Sequence, residues 1–120
     1  MRSLLPLAFL AAPALATPAL ADAPMIQAVT ARQTGAGWRF DVTLTHPDTG
    51  WDHYADGWRV LAPDGTELGM RDLVHPHEHE QPFTRSLSGV QIPDGITRVQ
   101  VRARCLVDGW AETTYTVDLD

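Results

Sequence analysis

The chain has 120 residues, and its nine basic side chains, all arginine, are outnumbered by fifteen acids for a formal charge of -6. A net negative chain without a basic run cannot neutralise phosphate charge, so nucleic acid and anionic lipid are excluded as partners. The single cysteine, Cys105, rules out an internal disulfide, which leaves the core, a metal or a second chain to hold the fold.

Met1-Arg2-Ser3 opens with one positive charge, and Leu4 to Leu20 then run without a charge to the small residues Ala19-Leu20-Ala21. That pattern reads as a secretory signal peptide over 1–21, cleaved to leave one domain over 22–120 with no membrane anchor. Pro6, Pro13 and Pro18 interrupt the run, which suits it poorly to crossing ~30 Å of hydrocarbon as a helix. No cysteine stands at the cleavage point, so lipid attachment is not indicated. The expected location is periplasmic or secreted.

In chain order, Met25 to Gln33 predicts a first strand, turned by Thr34-Gly35-Ala36-Gly37. Trp38, Phe40, Val42 and Leu44 then alternate with Arg39, Asp41, Thr43 and Thr45, the period of two expected of a half-buried strand. His46-Pro47 ends it and opens a loop to Gly57 that holds Trp51, Asp52, His53, Tyr54 and Asp56. Trp58 to Ala62 and Thr66 to Val74 predict a hairpin around Pro63-Asp64-Gly65. Phe83 to Val90 is a further strand, and Pro93-Asp94-Gly95 turns into Val99, Val101, Ala103 and Cys105, alternating with arginines. Ala111, Thr113, Tyr115, Val117 and Leu119 form the inner face of the closing strand.

About seven short strands without helical spacing predict an all-β fold, an antiparallel sandwich of immunoglobulin or fibronectin type III character, with a small open barrel as the alternative. Trp38 and Trp58 are the candidates for its buried tryptophan. In the last hairpin, even-sum pairing sets Val101 opposite Tyr115, Cys105 opposite Ala111, Arg104 opposite Glu112 and Arg98 opposite Asp118. Opposite charges so placed make the arginine stripe a solvated sheet face rather than an anion site. Up-and-down strand order gathers the five histidines, Cys105, Trp51 and Trp110 at one end, where a rigid sandwich presents its loops.

The densest chemistry is His75-Pro76-His77-Glu78-His79-Glu80-Gln81-Pro82-Phe83. In extended chain, alternate residues share a side at roughly 6.5–7 Å spacing, so His75, His77 and His79 are the first candidate ligands for a transition metal. His53, His46 and Cys105 are candidates to complete the set. Imidazole suits copper and zinc, with copper slightly ahead. The bland reading is an exposed polar loop with no metal, and for Cys105 a buried core thiol. The rival function is a metal-free module that meets another envelope protein through Trp51, Tyr54 and Trp110. No nucleophile elbow, zinc-protease helix motif, phosphate loop or paired redox cysteines is present, so an enzyme is not expected.

Two segments, Gly50-Trp51-Asp52-His53-Tyr54-Ala55-Asp56-Gly57-Trp58 and His75 to Ser86, resemble the hallmarks of a family of small exported bacterial proteins with no assigned activity. The resemblance runs from about Trp38 to Trp110 and implies a secreted single domain without naming a reaction. Cupredoxins resemble the chain in being exported β-sandwiches. Their site has a cysteine followed closely by His and Met, however, and neither follows Cys105. Exported copper carriers with a histidine at the mature N-terminus fit no better, since Asp22-Ala23-Pro24 stands there.

Overall fold

The computed structural model describes residues 23–119, so the signal-peptide segment lies outside the described residues. Eight strands form two antiparallel sheets: β1 (Met25–Thr34), β2 (Gly37–Thr45), β3 (Ala55–Leu61), β4 (Glu67–Asp72), β5 (Phe83–Val90), β6 (Arg98–Cys105), β7 (Gly109–Trp110) and β8 (Tyr115–Asp118). One sheet has the order β1-β2-β5; the other runs β4-β3-β6, with β7 and β8 both paired to β6. The fold is an antiparallel β-sandwich, as the alternating pattern predicts.

Alternation dictates the core. Phe40, Val42 and Leu44 of β2 are buried, and across the gap stand Trp58 and Val60 of β3 with Val99, Val101 and Ala103 of β6. Each fully buried side chain of this size contributes about 1.5–3 kcal/mol of hydrophobic stabilisation, which lets one cluster order a chain without a disulfide. Of the two tryptophans, Trp58 is fully buried, while Trp38 sits half-buried against the cluster at the turn between β1 and β2.

The expected closing strand is split in two. Arg98 pairs with Asp118 and Val101 with Tyr115, as the parity argument requires. Nearer the turn, Arg104 pairs with Trp110 and Cys105 with Gly109, so Arg104 does not face Glu112, nor Cys105 Ala111. Between the Val101 and Arg104 pairs, two residues of β6, Arg102 and Ala103, are matched by four on its partner, the irregular residues 111–114 between β7 and β8, a surplus of two. Even parity survives because the slip is two residues. Gly109 takes the left-handed φ of 78° at the turn, a conformation that costs other residues more than glycine.

Three connections cross from sheet to sheet: β2 to β3, β4 to β5, and β5 to β6. The first two, 46–54 and 73–82, lie at the same pole, because β2 and β4 end where β3 and β5 begin: Leu44 pairs with Phe83 and Gly57 with Asp72. Cys105 arrives there too, paired with Ala55 at the start of β3. The opposite pole has the two Pro-Asp-Gly turns.

Candidate metal centre

The 46–54 crossover folds back on itself, and that fold sets two histidines face to edge. Gly50 adopts φ 136°, and His53 donates its N–H to the Gly50 carbonyl (3.1 Å) while accepting from Thr49 (3.0 Å). This tight reversal returns His53 towards the start of the loop, where its ring packs edge-on against His46 with centroids 4.8 Å apart. Cys105, at the end of β6, completes the group: ligand atoms of His46, His53 and Cys105 all lie within 4.8 Å of one another.

His46 is held with particular care. Its ring is fully buried, and Nδ1 lies 2.5 Å from Oδ1 of Asp48, whose side chain is also fully buried. The same carboxylate accepts the Ala55 N–H at Oδ1 (3.0 Å) and the His77 N–H at Oδ2 (2.7 Å). A carboxylate accepting at Nδ1 leaves the proton there and the lone pair on Nε2, and that Nε2 is buried without a partner among the described residues. An aligned imidazole with one nitrogen on a carboxylate and the other free is the arrangement of a metal-ligating histidine.

The Cys105 sulfur, nearly inaccessible, is 3.5 Å from His53 Nε2 and accepts the Asp108 N–H at 3.2 Å. Burial pushes its thiol above the ordinary value, an effect only partly offset by N–H groups of Asp108 and Val107. A metal reverses that preference, since it binds the thiolate. Bonds of ~2.0–2.1 Å to nitrogen and ~2.3 Å to sulfur imply an N to S edge of about 3.6 Å around a tetrahedral ion. The cysteine–His53 edge already matches this. The widest separation in the group must close by roughly 1 Å on the same geometry.

The histidine-rich segment has another arrangement than the extended one expected. It is irregular over 75–82, and of its three histidines only His77 is buried. The His77 ring stacks on Phe83 (centroids 3.9 Å, 11°), with His75 tilted beside it at 4.5 Å. His77 Nε2 lies 2.8 Å from Nη2 of Arg85. A guanidinium can only donate, so the lone pair that a metal would need is already engaged. Burial first, and then the Arg85 charge, hold the His77 pKa below its usual value, keeping the ring neutral. His75 and His79 are exposed. None of these three belongs to the convergent group, which consists of the residues expected only to complete the set.

The aromatic residues are also divided. Trp51 is 66% exposed and meets Tyr54 edge to face at 5.8 Å beside the histidine loop. Trp110 instead lies under the Arg59 guanidinium at 3.9 Å, with that of Arg104 at 5.0 Å, packed among the arginines of the larger sheet. Asp48 acts through His46 rather than as a ligand, and its one signal in the sequence is its place two residues after His46.

Comparison with known proteins gives one informative relative. A protein of Halomicrobium mukohataei described as "Putative lipoprotein" is 37% identical over 101 residues, covering 84% of this chain and 49% of the relative. The chain therefore spans about half the length of the curated relative it matches. No protein-family model matches the chain. No solved structure matches it either.

Proposed function

We propose that this is an exported β-sandwich protein that binds a transition metal ion through His46, His53 and Cys105. The observation that carries this reading is the fully buried His46, anchored to Asp48 through Nδ1 and left with an unpartnered Nε2, in a group whose ligand atoms, with those of a second imidazole and a thiol, all lie within 4.8 Å of one another. Leaving a buried polar atom unsatisfied costs about 1–3 kcal/mol, and an ion would turn that cost into a bond. Two imidazoles with one thiolate favour copper, Cu(I) in particular given the soft sulfur, with zinc as the runner-up. Export is supported by the charge-free leader pattern and by the relative's description as a lipoprotein. In this chain the one cysteine is a buried sandwich residue.

The role is binding rather than catalysis. A thiol whose ionisation is opposed by burial is not a ready nucleophile, even with an imidazole 3.5 Å away. The decisive experiment titrates the protein, under reducing conditions, with Cu(I) and Zn(II), and repeats this for His46→Ala, Cys105→Ser and the triple alanine variant of His75, His77 and His79. Saturable one-to-one binding lost in the first two variants and retained in the third is the expected result. Loss only in the triple variant would move the site to the 75–79 segment.

A second reading has its own observation. Trp51 and Tyr54 form an exposed aromatic pair suited to meeting another envelope protein. Trp51→Ala would abolish capture of such a partner while leaving metal binding intact.

A further inference from the structure

The histidine-rich segment leans on the candidate centre at two points that involve no histidine ring. Asp48 uses one carboxylate oxygen to hold His46 Nδ1 and the other to hold the backbone N–H of His77, at 2.5 and 2.7 Å. Gln81 makes a matching bridge: its Oε1 accepts the backbone N–H of His46 (3.0 Å), and its Nε2 donates to the His77 carbonyl (2.8 Å). Thus both peptide groups of His77, and both the backbone and the ring of His46, are tied into one circuit closed by two side chains. His77 is locked in turn by stacking on Phe83 and by Arg85.

We infer that Asp48 and Gln81 are positioning residues for the metal centre, and that the 75–81 segment is a clasp that holds His46 in its ligating orientation. The inference rests on the ligand set proposed above. Its physical content is that a lone imidazole on a crossover would sample several rotamers and two tautomers, only one combination of which aims a lone pair at Cys105 and His53. Asp48 selects the tautomer, since it accepts at Nδ1, and Gln81 fixes the backbone from which the ring projects. A histidine in this clasp is required for its main chain and its stacking face, which explains why a stretch so rich in imidazole can sit beside a metal centre without ligating it.

Loading and clasp closure must then be linked in both directions, because an interaction that stabilises the ligating state of His46 is itself stabilised when the ion binds. Three measurements read this in the whole exported domain with Zn(II) and Co(II) as probes. The first is affinity: Asp48→Asn and Gln81→Ala should each weaken Zn(II) binding about 10–100-fold, the usual consequence of removing a partner that orients a ligand. Gln81→Glu, which keeps the acceptor for His46 and loses the donor to His77, should fall between Gln81→Ala and the parent. In the Co(II) forms the sulfur-to-metal absorption should persist while the ligand-field bands shift, showing the same donors in altered geometry.

The second measurement is the ring-nitrogen NMR signature of His46 in metal-free protein, which should show a single Nδ1–H tautomer in the parent and a mixture in Asp48→Asn. The third is hydrogen exchange, in which the His77 amide should exchange more slowly after Zn(II) loading. Asp48 is buried and its variant can lose the fold, whereas Gln81 is exposed, so Gln81→Ala decides the matter in a folded protein. Affinity within twofold of the parent in Gln81→Ala, with an unchanged Co(II) spectrum, would overturn the clasp alone. A parent protein that binds no ion through His46 and Cys105 would instead overturn the ligand set.

Discussion

At one pole of the sandwich, two sheet-to-sheet crossovers bury His46, Asp48 and His77; at the other, Pro63-Asp64-Gly65 and Pro93-Asp94-Gly95 turn in full contact with water. The far turns satisfy their polar groups locally, with Gly65 donating to Ala62 (2.9 Å), Ile96 to Pro93 (3.2 Å) and Thr66 to the Asp64 side chain (2.9 Å). Local turn bonds between exposed groups place little demand on the rest of the fold. The near pole is built the opposite way: it holds the buried polar side chains among the described residues, His46, Asp48 and His77, its two crossovers are joined by bonds from the Asp48 and Gln81 side chains across 29 and 35 residues, and two ring nitrogens there, His46 Nε2 and His77 Nδ1, are left without partners. Buried groups left in that condition concentrate where function requires them, so the asymmetry points to the near pole as the working end.

The largest effect that sharpens this contrast comes from Phe83, fully buried at the start of β5 and the surface on which His77 stacks. Phe83→Ala should cost about 3–5 kcal/mol in denaturant unfolding, the range for a large buried aromatic. It should also free the clasp. A truncation at the exposed Pro63 should cost far less, and equal costs at the two poles would remove the contrast.

Metal loading should come next. An ion that binds only the folded state, present at a hundredfold excess over its dissociation constant, adds about 2.7 kcal/mol. For a domain of this size the melting temperature should then rise by roughly 10–20 °C, measurable by calorimetry with and without a chelator. No change on adding Zn(II) or Cu(I) would leave the near pole as a structural oddity. Affinity should also depend on pH. Burial holds the Cys105 thiol above 9.0, so it is protonated at neutral pH and binding must release that proton. The association constant should therefore rise about tenfold per pH unit between pH 7 and 8.5, and Cys105→Ser should bind far more weakly with that slope gone.

Stability without metal should carry a pH signature from His77. Its folded pKa is depressed below 6.5, chiefly by burial, so the unfolded chain binds more protons between the two values. The neutral ring's contribution is therefore complete above about pH 6.5 and is lost as pH falls through the folded pKa. Urea midpoints measured from pH 7 down to pH 5 should decline, and His77→Gln should flatten that decline. A profile that His77→Gln does not alter would mean the ring titrates as it does in water.

Periodicity made the framework legible: the alternation in Trp38 to Leu44 and Val99 to Cys105 is the core, and chain direction alone sends the two histidine-bearing crossovers to one end. What periodicity could not resolve was which imidazoles converge. His75, His77 and His79 drew notice through density in sequence, yet spacing along an extended chain is useful only if the chain is extended, and here Asp48 and Gln81 bind the main chain of His77 and bend the segment into an irregular clasp. His46 and His53, seven residues apart, meet because Gly50 reverses the loop between them. Cys105 has the inward parity of Val99 and Val101, and at the end of a strand that parity makes it both a core thiol and a neighbour of the histidine loop. The slip near Trp110 was hidden for a related reason. Pairing parity is conserved by a two-residue surplus, so alternation gives no sign of it.

The smallest effect belongs to the far pole. Arg98 and Asp118 pair directly across β6 and β8 at 2.7 Å, but both side chains are more than 60% exposed. Water and salt screen such a pair, and holding two long side chains in register offsets part of the attraction, so Arg98→Ala should cost only about 0.2–0.5 kcal/mol. That cost should fall further in 0.5 M salt, and metal affinity should stay at the parent value, because among the described residues no side-chain hydrogen bond or ion pair joins Arg98 or Asp118 to the histidine crossovers. A cost well above 1 kcal/mol, or any change in Zn(II) affinity, would mean that the two poles communicate through the sheet rather than serving as independent ends of one core.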